Sequence, residues 1–146
     1  MMDIEATRAS YRPDRITTLF VGESAPASGD FFYFGNNNML RLMQRATDAA
    51  LVGDGEFLDR FKARGWFLDD LVLVPVDKLA SPERKVKCLA AAESLGQRIA
   101  VYRPLAIVSL LVSIRGIVER AEGGGQRRAN VRGAVPRHGA AISFPQ

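Results

Sequence analysis

The sequence has one cysteine, Cys88, and one histidine, His138. A single thiol forms no internal disulfide, and one thiol with one imidazole is too few soft ligands for a zinc or iron–sulfur set. No metal and no other cofactor is expected, and a chain free of disulfides suits a reducing cytoplasm. Long apolar runs are also missing. None approaches the roughly 20 residues of a bilayer span, and the N-terminal MMDIEATRAS is polar and of mixed charge, unlike a signal peptide. A soluble cytoplasmic protein with no membrane partner is the expectation. Phosphate-binding fingerprints are absent as well. The loop GESAPASG has neither the GK[ST] ending of a Walker A loop nor the glycine spacing of a dinucleotide fingerprint, which argues against an NTPase or a Rossmann dehydrogenase.

What the chain does have is an ordinary globular composition, 47% hydrophobic and 25% charged over 146 residues. Residues 1–146 read as a single domain, long enough to bury roughly two thirds of its unfolded surface. Lys and Arg exceed Asp and Glu by 20 to 16, for a net charge of +4, and the pI is near 9.6. That balance permits a phosphate-rich partner. Between Arg115 and His138 stand six arginines (Arg115, Arg120, Arg127, Arg128, Arg132 and Arg137) against Glu119 and Glu122, in a Gly-rich stretch that suits a solvated loop or a basic surface.

Periodicity predicts the elements. ITTLFV, bounded by Pro13 and Gly22, reads as a buried first strand. From Asn38, Met39, Leu42, Met43, Ala46 and Ala50 recur at helical spacing, and GEFLDRFKARG predicts a second helix stopped by Gly65. WFLDDLVLVPV reads as a second strand ending at Pro75. Ser81 as cap, Pro82 and Glu83 announce a long helix closed by Pro104. LAIVSLLV predicts a third strand, SIRGIVERAEGGG a short helix ending in glycines, and AAISF a fourth strand. Strands alternating with helices imply a three-layer α/β/α domain around a central, mainly parallel four-stranded sheet.

In such sheets the loop after the first strand is a habitual ligand site. Here GESAPASG followed by FFYFGNNNML resembles the first motif of the uracil-DNA glycosylase superfamily, a strand ending in a Gly-x-x-Pro-type loop, often Gly-Glu-x-Pro or Gly-x-Asn-Pro, before an aromatic and an Asn-containing helix start. GWFLDDLVLVPVDKL resembles that superfamily's second strand, RPLAIVSLLVSI its third, and AISFPQ the strand leading to its DNA-wedging loop, so the likeness spans nearly the whole chain.

The resemblance implies an enzyme that flips a deaminated base out of DNA, grips it, and hydrolyses its N-glycosidic bond. It makes Glu23 the first candidate and Ser24 the second for positioning the attacking water. Gly22, Phe32, Asn37 and Asp70 would form the base pocket, with Phe32 as the stacking ring. Asp70 stands where many relatives place Asn, and an ionised Asp only accepts hydrogen bonds, so a base other than uracil is in view. Phe144 and Pro145 would touch DNA in AISFPQ. VPRHG, with His138, is the alternative version of that motif, and the chain stops where a wedging loop and a final helix are expected. The implied partner is DNA, the implied state a monomer. A catalytically inactive module of the same fold, binding nucleic acid or a nucleotide through that pocket and the arginines of 115–137, is the competing reading. A small-molecule binder that shares only the architecture is the third.

Overall fold

Each strand is followed by enough chain to cross over before the next, and the pairing is parallel throughout. The computed structural model describes the backbone of residues 3–131 and 138–141 and the side chains of residues 3–124. Its central strand β1 (Thr18–Gly22) lies between β2 (Trp66–Asp70) and β3 (Ala106–Ser109). Thr18 sits beside Trp66 and Ala106, Gly22 beside Asp70, and Val21 beside Ser109, so the carboxyl ends of the three strands are level. A further strand, β4 (His138–Ala141), runs along β3 with His138 beside Ala106 and Ala141 beside Ser109.

Alternation along β1 and β2 sends side chains to two faces. On one, Phe20 meets Phe61 of helix α3 (Phe57–Ala63) and Trp66, with ring centroids 5.6 and 5.3 Å apart. On the other, Phe67, in register with Leu19, meets Tyr102 of helix α5 (Ala92–Tyr102) edge-on at 5.6 Å. Helix α6 (Arg115–Val131) packs on α5. Leu19, Val21, Phe67 and Ile107 are all buried, and burying one such side chain contributes about 1.5–3 kcal/mol.

Helix α2 (Asn38–Thr47) begins as expected at the asparagines, and Gly65, at φ +82°, ends the turn after α3. A Cβ on Gly65 would stand 2.9 Å from the Thr17 side chain, because the Gly65 carbonyl accepts from the Thr17 amide at 2.7 Å.

Several expectations are corrected. A helix α1 (Ile4–Ser10), outside the elements that periodicity predicts, is started by Asp3, whose Oδ1 accepts from the Glu5 and Ala6 amides at 2.9 and 3.4 Å. The second strand stops at Asp70 rather than Pro75. There Arg98 takes the carbonyls of Asp70 and Leu71 at 2.8 and 3.0 Å, and Leu73 and Val74 turn out to solvent. The expected single helix from Ser81 is two, α4 (Ser81–Ala90) and α5, broken at Ala91, whose amide is shared between the carbonyls of Lys87 and Cys88. Ser81 is the first helical residue, and the cap position is Ala80, which makes no side-chain bond. The glycines 123–125 do not end α6, which continues to Val131. Of the AAISF segment, Ala140 and Ala141 lie in β4, and Ile142, Ser143 and Phe144 fall outside the described residues.

Candidate functional site

The strand order reverses at β1, since the chain goes to β2 on one side and returns to β3 on the other. The crevice outside the carboxyl ends at such a point is where open α/β sheets place ligands. Glu23 stands there, one residue past the end of β1. Its side chain is 10% exposed and is gripped by Arg84 of α4. Arg84 Nε lies 3.0 and 2.9 Å from the two carboxylate oxygens, and Arg84 Nη2 donates to Oε1. The thiol of Cys88, one turn further along α4, donates to Oε2 at 3.6 Å. Burial pushes that thiol up to about 11, and the Glu23 carboxylate beside it adds to the rise. The thiol is thus held in its protonated, donating form beside Glu23.

Three bonds tie the loop after β1 to the loop after β2. The Glu23 carbonyl accepts from the Val72 amide at 2.8 Å, Ser24 Oγ accepts from the Val76 amide at 3.2 Å, and the Ala27 amide donates to Asp77 Oδ1 at 2.9 Å. Ser24, expected as a second catalytic candidate, thus also helps to hold the loops together.

A second set of charges fills the end of β2. Asp69 accepts from Arg98 Nη1 at 2.7 Å, from the Tyr102 hydroxyl at 2.9 Å and from the Asp70 amide at 2.8 Å. Asp70 accepts from Arg8 Nη2 at 2.8 Å, while Arg8 Nε approaches Asp69 Oδ1 at 3.6 Å. Arg8, carried by α1, is itself buried and lies over the Phe31 ring at 5.1 Å. Burial raises the Asp70 carboxyl to about 7, outweighing the Arg8 charge that opposes the rise, and the charge of Asp69 adds to it. Gly22 makes room for this carboxylate: a Cβ there would lie 2.8 Å from Asp70 Oδ1.

The aromatic block following the loop is mostly core. Phe31, Phe32 and Tyr33 are buried. Phe32 packs between Tyr33 and Phe61, with centroids 5.0 and 5.5 Å away, so the ring expected to stack on a base offers no free face. Phe34 is half-buried and keeps part of its ring open. Asn37 caps α2, its Oδ1 accepting from the Leu40 amide at 2.9 Å, and Asn36 and Asn38 bond Phe31 and Arg41 in the same local manner.

The structure thus brings together Gly22, Glu23, Ser24 and Asp70 at one end of the sheet and leaves Phe32 and Asn37 in structural roles. The backbone of His138, expected to contact DNA, begins β4 beside Ala106, at the end of the sheet opposite Glu23. Phe144 and Pro145 lie outside the described residues. Sequence reasoning missed Arg8, Arg84, Cys88, Arg98 and Tyr102. The pairs Arg84/Cys88 and Arg98/Tyr102 are each spaced by four, a spacing that puts them on one helix face but says nothing of what they face.

Among the described residues no three His, Cys, Asp or Glu side chains gather into a group that could hold a metal ion, and no helix is long and apolar enough to cross a membrane. Comparison with known protein families, with curated proteins and with solved structures found no match to this chain.

Proposed function

We propose that this chain is a DNA glycosylase-like hydrolase, a monomeric cytoplasmic protein that cleaves the N-glycosidic bond of a flipped, deaminated base in the crevice at the carboxyl end of β1. The proposed domain is a three-layer α/β/α unit around a parallel four-stranded sheet. The observation that carries the reading is Glu23: a carboxylate held in one orientation by a forked guanidinium and a thiol, at the end of the central strand where the strand order reverses. A carboxylate so fixed can orient a water toward the anomeric carbon and offset positive charge developing on the sugar. Because Arg84 already neutralises part of its charge, orientation is the larger share of that role.

Two revisions accompany the proposal. With Phe32 buried, the stacking face of the aromatic block falls to Phe34. Asp70, committed to Arg8, supports the pocket floor beneath Gly22 and does not read the base edge.

The test is cleavage of single-stranded and duplex oligonucleotides bearing uracil, hypoxanthine or xanthine, followed by alkali to break abasic sites. Strand breaks at one of these bases are expected, and Glu23→Gln should reduce them about 100-fold or more. A second reading is favoured by the occupied Glu23 oxygens and the buried Phe32: a module of the same fold that binds nucleic acid without cutting it. Salt-dependent binding without breaks selects it, and absence of binding at low salt sinks both.

A further inference from the structure

The grip of Arg84 on Glu23 uses only one edge of the guanidinium. Nε and Nη2 form the fork to the carboxylate. The bonds Arg84 makes to described residues leave Nη1 out, and the side chain is 37% exposed although its partner is only 10% exposed. A planar guanidinium offers two parallel donor pairs, so the edge bearing Nη1 is presented to solvent beside a buried carboxylate. It stands in the first turns of α4, at the same end of the sheet as the carboxyl ends of β1 and β2. Besides Glu23, the acidic groups Cys88 and Asp77 act electrostatically on Arg84; the Cys88 thiol donates to Glu23 and the Asp77 carboxylate already accepts from the Ala27 amide.

We propose that Arg84 is a two-edged positioning residue, its inner edge fixing Glu23 and its outer edge receiving a phosphodiester of a nucleic-acid strand. Guanidinium edges bind phosphate oxygens bidentately with good geometric definition. Holding the carboxylate and the phosphate on one rigid plane sets the distance between the group that orients water and the backbone beside the target nucleotide. This inference rests on the glycosylase reading for its catalytic consequence, whereas phosphate recognition at Arg84 stands apart from any cleavage.

The experiment follows the side-chain Nε–Hε resonance of Arg84 by ¹⁵N NMR at low salt while titrating three probes: a short thymidine oligonucleotide, inorganic phosphate, and thymidine, which has no phosphate. A saturable shift with the oligonucleotide, a weaker one with phosphate and none with thymidine are expected. Arg84→Gln should weaken oligonucleotide binding about tenfold or more, the scale of a lost charge-assisted contact. Arg84→Lys should bind at an intermediate level. Arg64→Gln, an exposed arginine at the opposite end of the sheet, should bind as the parent does. No Arg84 shift, an equal shift with thymidine, or a shift with inorganic phosphate alone would overturn the proposal, and these wild-type titrations need no variant to fold.

Kinetics separate the two ideas. If bases are excised, Arg84→Gln should raise KM while Glu23→Gln lowers kcat with little change in KM. An Arg84→Gln variant with unchanged KM overturns the phosphate contact and leaves the glycosylase reading intact. Binding through Arg84 without excision in the parent protein does the reverse.

Discussion

The hydroxyl of Tyr33 bridges both backbone groups of Leu68, donating to its carbonyl at 2.8 Å and accepting from its amide at 2.6 Å. With the strand order β2-β1-β3-β4, β2 has no neighbouring strand on its outer side among the described residues. The phenol takes the place of one residue of that neighbour, closing an edge that would otherwise offer unpaired amides to another chain. Stacked between Tyr11 and Phe67, with centroids 5.1 and 6.0 Å away, the ring has no freedom to leave. Tyr33→Phe keeps the packing and strips both bonds, so it should destabilise the protein by about 1–3 kcal/mol in urea unfolding. An unchanged midpoint would mean that water reaches Leu68.

Asp70 gives the fold a pH dependence whose sign can be worked out. Its carboxyl rises from an ordinary 3.8 to about 7 on folding, so the native state binds a proton that the unfolded state releases. The stabilisation from this group is fully present below about pH 4 and is lost as pH rises through 7. Stability should therefore fall between pH 5 and pH 8 in the parent by more than it does in Asp70→Asn. Parallel stability curves for the two proteins over that interval would remove Asp70 as the titrating group.

Gly22 is needed for space, not for an unusual backbone angle. Gly22→Ala sets a methyl 2.8 Å from Asp70 Oδ1, an oxygen whose carboxylate is anchored by Arg8 and cannot swing aside. A loss of about 1–3 kcal/mol is expected, as for other overpacked sites. In an Asp70→Ala background the same substitution should cost clearly less, because neighbouring changes do not add. Equal costs in the two backgrounds would relocate the clash.

Arg98 joins α5 to the end of β2 through Asp69 and two backbone carbonyls. Its removal leaves a buried carboxylate with only Tyr102, Arg8 and a neighbouring amide. Arg98→Ala should lower stability by about 3–5 kcal/mol, the range for breaking one side of a buried ion pair. A thermal melt within a degree or two of the parent would show that Asp69 keeps its charge balanced without Arg98.

What the sequence disclosed was local. ITTLFV, the asparagine-led helix at residue 38 and the stop at Gly65 follow from periodicity, capping and turn chemistry within a dozen residues. Asp3 before a charged helical turn was a comparable signal for α1, but a helix of 7 residues has too few periodic positions to stand out. The end of β2 at Asp70 was hidden because the apolar run continues past it. The stop is imposed by Arg98, 28 residues away in sequence. For the site, Glu23 could be singled out by its loop, whereas its partners Arg84 and Cys88 come from a helix more than 60 residues further on, and only folding pairs them. Phe32 illustrates the opposite failure. Four aromatics in and beside a single 3-10 turn cannot share one direction, and Phe32 is the one that packs on Phe61 across the core.

The three bonds that stitch Glu23, Ser24 and Ala27 to Val72, Val76 and Asp77 make the two loops one mechanical body. Neither can lift alone without stranding donors and acceptors of the other, so opening is a single cooperative event for both. The amides of Ala27, Val72 and Val76 should then exchange with solvent deuterium at a common rate, and anything that wedges into the crevice from above works against both loops at once. The rim at the carboxyl ends of β1 and β2 is thus braced by chain segments some 50 residues apart in sequence.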